Sequence, residues 1–238
     1  MTGSVRVNLR LKLYKKGGVI MTKVGVALSG CGVYDGSEIH EATLTLYFLD
    51  RAGVDIIRMA PDINQSEVVD HLTGKLASER RNALIESARI ARGDIKKMEG
   101  VKASDLDALI FPGGLGAQKN FCNFATKGKD CTVNPEVERL IREMHGTKKP
   151  LGFICIAPVI AAKVLGEFHP RLTIGSDRDT AKAIEEMGGK HIICKVDEIA
   201  VDEENKIVST PAYMLGPTIS RVALGIEKLV DNILQLAP

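Results

Sequence analysis

The chain has 238 residues and a formal net charge of +2, with 45% hydrophobic, 26% charged and 4% aromatic residues and no Trp. This supplies ample apolar surface for one core, but neither the basic excess nor the stacking rings that nucleic-acid binding requires. No apolar run reaches the ~20 residues that span a membrane as a helix. The five cysteines (Cys31, Cys122, Cys131, Cys155, Cys194) are dispersed and never form C-x-x-C, which argues against a disulfide framework or a metal site and for a reducing compartment. The expectation is a soluble, cytoplasmic, single-domain α/β protein.

Residues 1–20 stand apart. They hold Arg6, Arg10, Lys12, Lys15 and Lys16 and no acid, so they carry +5 and leave −3 for residues 21–238. A basic, acid-free leader has the composition of a mitochondrial transit peptide, yet residues 5–13 alternate with period two instead of tracing an amphipathic helix. The preferred reading starts the protein at Met21, because a strand follows at once and Lys16-Gly17-Gly18 is what a purine-rich ribosome-binding site would encode. Residues 1–20 are then an extension and 21–238 the domain. A mitochondrial location is expected only if 1–20 is a genuine transit peptide.

Residues 23–28 (KVGVAL) form a short β-branched run, expected as a buried parallel strand. A loop rich in glycine follows (residues 29–36), and Asp35-x-x-Glu38 resembles a capping box opening a helix that stops near Gly53. Residues 54–59 are the second strand, completing a βαβ unit. The glycine spacing fails the dinucleotide fingerprint, since Asp35 holds the third glycine's place and Arg58 replaces the acid at the end of the second strand, so no NAD is expected. Residues 62–76 read as an excursion from the core and 78–92 as a charged helix.

A third strand ends at Phe111 and enters Pro112-Gly113-Gly114-Leu115-Gly116, a turn small enough for its N–H groups to approach a ligand. Residues 120–131 form a polar-aromatic loop, and Asn134-Pro135 begins a helix as N-cap and N1. Residues 151–154 are then a buried strand that stops at Cys155 and turns through Ile156-Ala157-Pro158 into an apolar helix. That is the outline of a nucleophile elbow, in which the helix N-terminus favours the thiolate. Strands are also expected at 171–175, 191–194, 198–201 and 206–209, with helices at 177–187 and 216–236. Strands alternating with helices predict a mostly parallel sheet covered on both faces, with ligands beyond the strands' carboxyl ends. Residues 29–36, 112–116 and Cys155 all fall at such ends.

Three stretches, SGCGVYDGSEIHEA, FPGGLGAQKNFCNFA and GFICIAP, supported by LTIGSDRDTA and KIVSTPAYM, resemble the ElbB family. This family lies in the class I glutamine amidotransferase-like superfamily, near the PfpI proteases and the deglycases. The resemblance covers residues 23–238 and implies a flavodoxin-like three-layer sandwich and a likeness to bacterial glyoxalases that convert glyoxal to glycolate without added cofactor. It also implies a link to isoprenoid synthesis and a homodimer. On it, Cys155 matches the nucleophile and Glu41 the carboxylic acid held against that thiol. Gly113 or Gly114, with the Ile156 N–H, would line an oxyanion hole, and His40, Cys31 and Asn120 are accessory candidates.

Two departures matter. Ile156 stands where the proteases carry His, and no His-x-Glu follows Cys155, which disfavours amidotransferase chemistry; His169 and His191 remain as possible bases. The expected reaction is isomerising hydration of a small α-oxoaldehyde, without cofactor or metal. The rival expectations are a redox sensor built on an oxidisable Cys155 and, more weakly, a deglycase or a hydrolase subunit that requires a partner protein.

Overall fold

The computed structural model describes residues 21–238 and, before them, the backbone pairing of Tyr14–Lys15 with Gly18–Val19. The alternation at 5–13 and the readings of 1–20 as a leader or as untranslated lie outside the described residues.

Strand β1 (Lys23–Ala27) leads into helix α1 (Ile39–Ala52) and strand β2 (Asp55–Ala60). Helix α2 (Ala83–Ile90) and the two-residue β3 (Lys96–Lys97) precede β4 (Ala108–Phe111). Short helices α3 (Leu115–Lys119) and α4 (Phe124–Lys127) and then α5 (Pro135–Gly146) connect it to β5 (Leu151–Ile154). Helices α6 (Pro158–Leu165) and α7 (Arg178–Glu186), strands β6 (Ala200–Asp202) and β7 (Ile207–Thr210), and helix α8 (Ile219–Leu236) complete the chain.

One seven-stranded sheet runs β6-β7-β5-β4-β1-β2-β3, and every pair is parallel except β6 with β7. The central order reverses between β1 and β4: the chain steps outward to β2, then returns to the other side of β1. This is the flavodoxin-like switch point, where a crevice opens between two connections leaving in opposite directions. Helices α1 and α8 pack together on one face and α5 and α6 on the other. Strands β4 and β5 are buried at every residue, as sheets covered on both faces require. Phe111 and Phe153 stack with centroids 5.1 Å apart, and Phe121 meets Phe111 edge-on at 5.9 Å. Each fully buried ring contributes ~2–3 kcal/mol of apolar burial.

Helix α1 differs from expectation at its start. Glu38 is itself the N-cap, its carboxylate accepting the Glu41 N–H at 2.7 Å, whereas Asp35 is buried and accepts the Val69 N–H at 2.9 Å. The sequence spacing fits a capping box, but the Gly30–Gly36 turn carries Asp35 away from the helix. Gly53, at φ 72°, ends α1 as anticipated. Residues 62–76 leave the sheet as expected, closing on a small hairpin of Val69–Asp70 with Lys75–Leu76. The strand expected at 171–175 shortens to Arg171–Leu172 and pairs with Lys190–His191 outside the main sheet. Among the described residues no helix is long and apolar enough to cross a membrane.

Candidate active site

Pairing of Phe111 with Phe153 and of Ile154 with Thr210 brings the ends of β4, β5 and β7 level. Gly113, Cys155 and Tyr213, which lie one to three residues beyond these ends, therefore converge on Glu41 in the first turn of α1. Cys155 still donates its N–H to Thr210 O at 2.9 Å, then turns at φ 61° into the loop before α6. A left-handed backbone costs an ordinary residue ~1–2 kcal/mol, and a non-glycine residue held there is a recognised mark of a functional site.

Glu41 is fully buried beside Cys155. Its Oε2 accepts the Gly113 N–H at 3.0 Å and its Oε1 accepts the Tyr213 N–H at 3.2 Å, while the carboxyl lies beside the Cys155 thiol and the two acids influence each other's proton. The N–H groups of Gly114 and Ile156 favour the thiolate form of the sulfur. Burial pushes the Glu41 carboxyl up to about 8, with the Glu38 charge adding to it, against the N–H groups of Tyr213 and Gly113 and the thiol, which favour the carboxylate. Burial and then the Glu41 charge also push the Cys155 thiol well above its ordinary value, and the two N–H donors only partly offset this. The thiolate expected from the helix position is thus opposed by burial. Two acids side by side in a dry site lose their protons as a unit, so the singly protonated pair is the chemically useful state.

The oxyanion expectation divides between the two glycines. The Gly113 N–H is engaged by Glu41, whereas the Gly114 N–H, with that of Ile156, acts on the Cys155 sulfur. Gly113 is nonetheless indispensable by space. A Cβ there would lie 2.5 Å from Cys155 Cβ, 2.6 Å from Glu41 Oε2 and 2.8 Å from Ile154 O, all rigid neighbours. Gly113→Ala is expected to lower stability by ~1–3 kcal/mol through overpacking and to dislodge the carboxyl. An unchanged urea midpoint would show that the turn is looser than this.

The accessory candidates are not gathered at the thiol. His40 is exposed, its Nδ1 2.8 Å from the Tyr213 hydroxyl, so it touches the site only through the residue that holds Glu41. Asn120 is buried and structural: its amide donates to Ser29 O and Asp35 O at 2.8 Å, and its Oδ1 accepts the Ser66 N–H. Cys31 is half-buried beside Glu86, Arg89 and Asp35. His169 bonds Gly188 O and His191 faces the Ile174 N–H, so neither serves Cys155. The residue that sequence reasoning missed is Tyr213. Its only signal was its place just past the end of the strand beside β5.

No family model matches the chain. It is 46% identical over 224 residues to "ES1 protein homolog, mitochondrial" of Rattus norvegicus, covering 90% of this chain and 84% of that one. The figure is again 46% over 224 residues, 90% and 83% covered, for "Glutamine amidotransferase-like class 1 domain-containing protein 3, mitochondrial" of Homo sapiens. A crystal structure described as an isoprenoid biosynthesis protein with amidotransferase-like domain, from Ehrlichia chaffeensis, superposes with a TM-score of 0.85 at 38% identity, covering 90% and 99%. Drosophila melanogaster DJ-1beta shares the fold, with a TM-score of 0.54 at 17% identity over 91% and 96%. The names of the rat and human relatives overturn the cytoplasmic expectation, because both are mitochondrial proteins. Dispersed free cysteines suit any reducing compartment, so composition does not separate one from another.

Proposed function

This chain belongs to the ElbB family of class I glutamine amidotransferase-like proteins, the family of ES1, and on that footing we propose that it is a cysteine-dependent glyoxalase for small α-oxoaldehydes. The observation that carries the reading is Cys155 held at φ 61° beside a fully buried Glu41, where the N–H groups of Gly114 and Ile156 favour its thiolate. A nucleophile, a proton carrier and two oxyanion donors are what addition to an aldehyde requires.

The sulfur of the singly protonated pair bonds the aldehyde carbon of glyoxal. The carbonyl oxygen, taken up by the Gly114 and Ile156 N–H groups, receives the shared proton and completes a hemithioacetal. Glu41, now a carboxylate, removes the hydrogen from that carbon and returns a proton to the neighbouring one, through an enediol. The product is a thioester bearing a hydroxymethyl group. Water cleaves it, releasing glycolate and restoring the thiol, so that glyoxal plus water gives glycolic acid; methylglyoxal gives lactate. The chemistry draws on no cofactor and no metal, and the homodimer implied by the family is part of the proposal.

The raised thiol counts against the rival in which Cys155 is a redox sensor, because ready oxidation of the resting protein depends on a standing thiolate, whereas addition to an aldehyde needs one only while the shared proton is transferred. The test is incubation with glyoxal and with methylglyoxal in the presence of a chelator, with products identified by NMR. Stoichiometric glycolate and lactate are expected. Aldehyde consumption that ends in a stable protein adduct, or no consumption, would overturn the assignment.

A further inference from the structure

Cys122 and Cys131 flank one surface turn. Asn123 donates its N–H to Thr132 O at 3.2 Å, Asn134 donates to Phe121 O at 2.7 Å, and Cys122 bridges Val133 in the antiparallel sense. Opposed residues share a face, and alternate residues along a strand return to it, so Cys122, Val133 and Cys131 project to one side. The two thiols are electrostatic neighbours, each shifting the other's proton affinity. Both are buried, Cys122 against the core, and the turn of residues 123–130 that joins them is mostly exposed.

Their surroundings divide the labour. Cys131 lies near Lys163 of α6, whose Nζ donates to Lys129 O at 3.1 Å. The neighbouring Cys122, with this cation, holds the Cys131 thiol down to about 7 against its burial. Cys122 instead keeps its proton, which it directs at Ala117 O of α3, 3.5 Å away. One thiol is thus prepared to attack and its neighbour to resolve.

We propose that Cys122 and Cys131 are a redox modification site that a hydroperoxide converts to an intrachain disulfide, independently of Cys155. The Cys131 thiolate takes the terminal oxygen of the peroxide; the O–O bond breaks, an alcohol or water leaves, and a sulfenic acid remains. Cys122 sulfur then displaces that oxygen: the S–O bond breaks, the S–S bond forms, and water departs with the Cys122 proton. Two thiols and one hydroperoxide give a disulfide, one alcohol and one water. A diagonal pair stands wider than a directly opposed one, so closure tightens the turn and draws Cys122 away from Ala117, in the helix that follows Gly114.

The experiment treats the full-length protein with hydrogen peroxide, blocks free thiols, digests with trypsin and maps the peptides. Residues 120–127 are expected to appear linked to residues 130–139, two hydrogens lighter than the separate peptides, and to separate again with dithiothreitol. The link persists in Cys155→Ala and disappears in Cys122→Ser and Cys131→Ser. Wild-type protein in which both peptides stay alkylated, or in which each cysteine goes singly to sulfinic acid, overturns the proposal.

Discussion

Cys155→Ala is expected to lower aldehyde turnover by at least ~10³-fold, because no other nucleophile replaces the sulfur, while leaving the fold and its melting temperature nearly unchanged. The substitution is mild structurally. The backbone N–H that joins Thr210 is retained, and alanine at φ 61° suffers the same strain that cysteine already bears. Only one buried sulfur is removed. A parallel measurement of steady-state rates and thermal unfolding separates the outcomes. A variant that folds yet keeps its rate would remove Cys155 from the chemistry, and with it the proposed reaction.

The second large effect belongs to Glu41→Gln, which is expected to reduce turnover ~10²–10⁴-fold by removing the proton carrier and to change the pH dependence of both rate and stability. In the wild type the carboxyl is pushed up to about 8 from its ordinary 4.5. Between those values the folded protein holds a proton that the unfolded chain has lost. The contribution of Glu41 to stability is therefore complete below pH 4.5 and declines as pH rises through 8, by an amount on the order of a few kcal/mol. The rate runs the other way, rising as the pair loses its first proton and the singly protonated state fills. In the variant both slopes flatten. It also pays a fixed penalty, because a glutamine amide must turn its NH₂ toward one of the two N–H groups, Gly113 or Tyr213, that a carboxylate satisfies. Urea titrations at pH 5 and pH 8 give the stability arm. A wild type equally stable at both values would mean that Glu41 is not the buried acid described.

Much of this was legible along the chain because it depends on local pattern. Runs such as KVGVAL and ALIF are apolar on both sides and suit only strands covered twice, and Asn134-Pro135 begins a helix by capping chemistry alone. The abrupt change at Cys155 from buried strand to apolar helix marked the candidate nucleophile, since a chain that must reverse within three residues has few places to put the intervening side chain. The family motifs placed Glu41.

What tertiary structure decided was everything set by registration between distant segments. Whether the thiol is lowered by a helix terminus or raised by burial depends on how deeply β4, β5 and β7 bury it, and no local spacing reports depth. The division of the two glycine N–H groups, Gly113 bonded to the carboxylate and Gly114 acting on the thiol, rests on a turn that the assembled sheet brings against both acids. Tyr213, 172 residues from Glu41, became part of the site only because β7 pairs with β5 and stops level with it. Sequence by itself determined most of the strands and helices and the place of the candidate nucleophile, because side-chain periodicity and backbone chemistry act over a few residues. Only the assembled sheet decided how the proton is shared, because desolvation and hydrogen bonding act across space between segments that the chain keeps far apart.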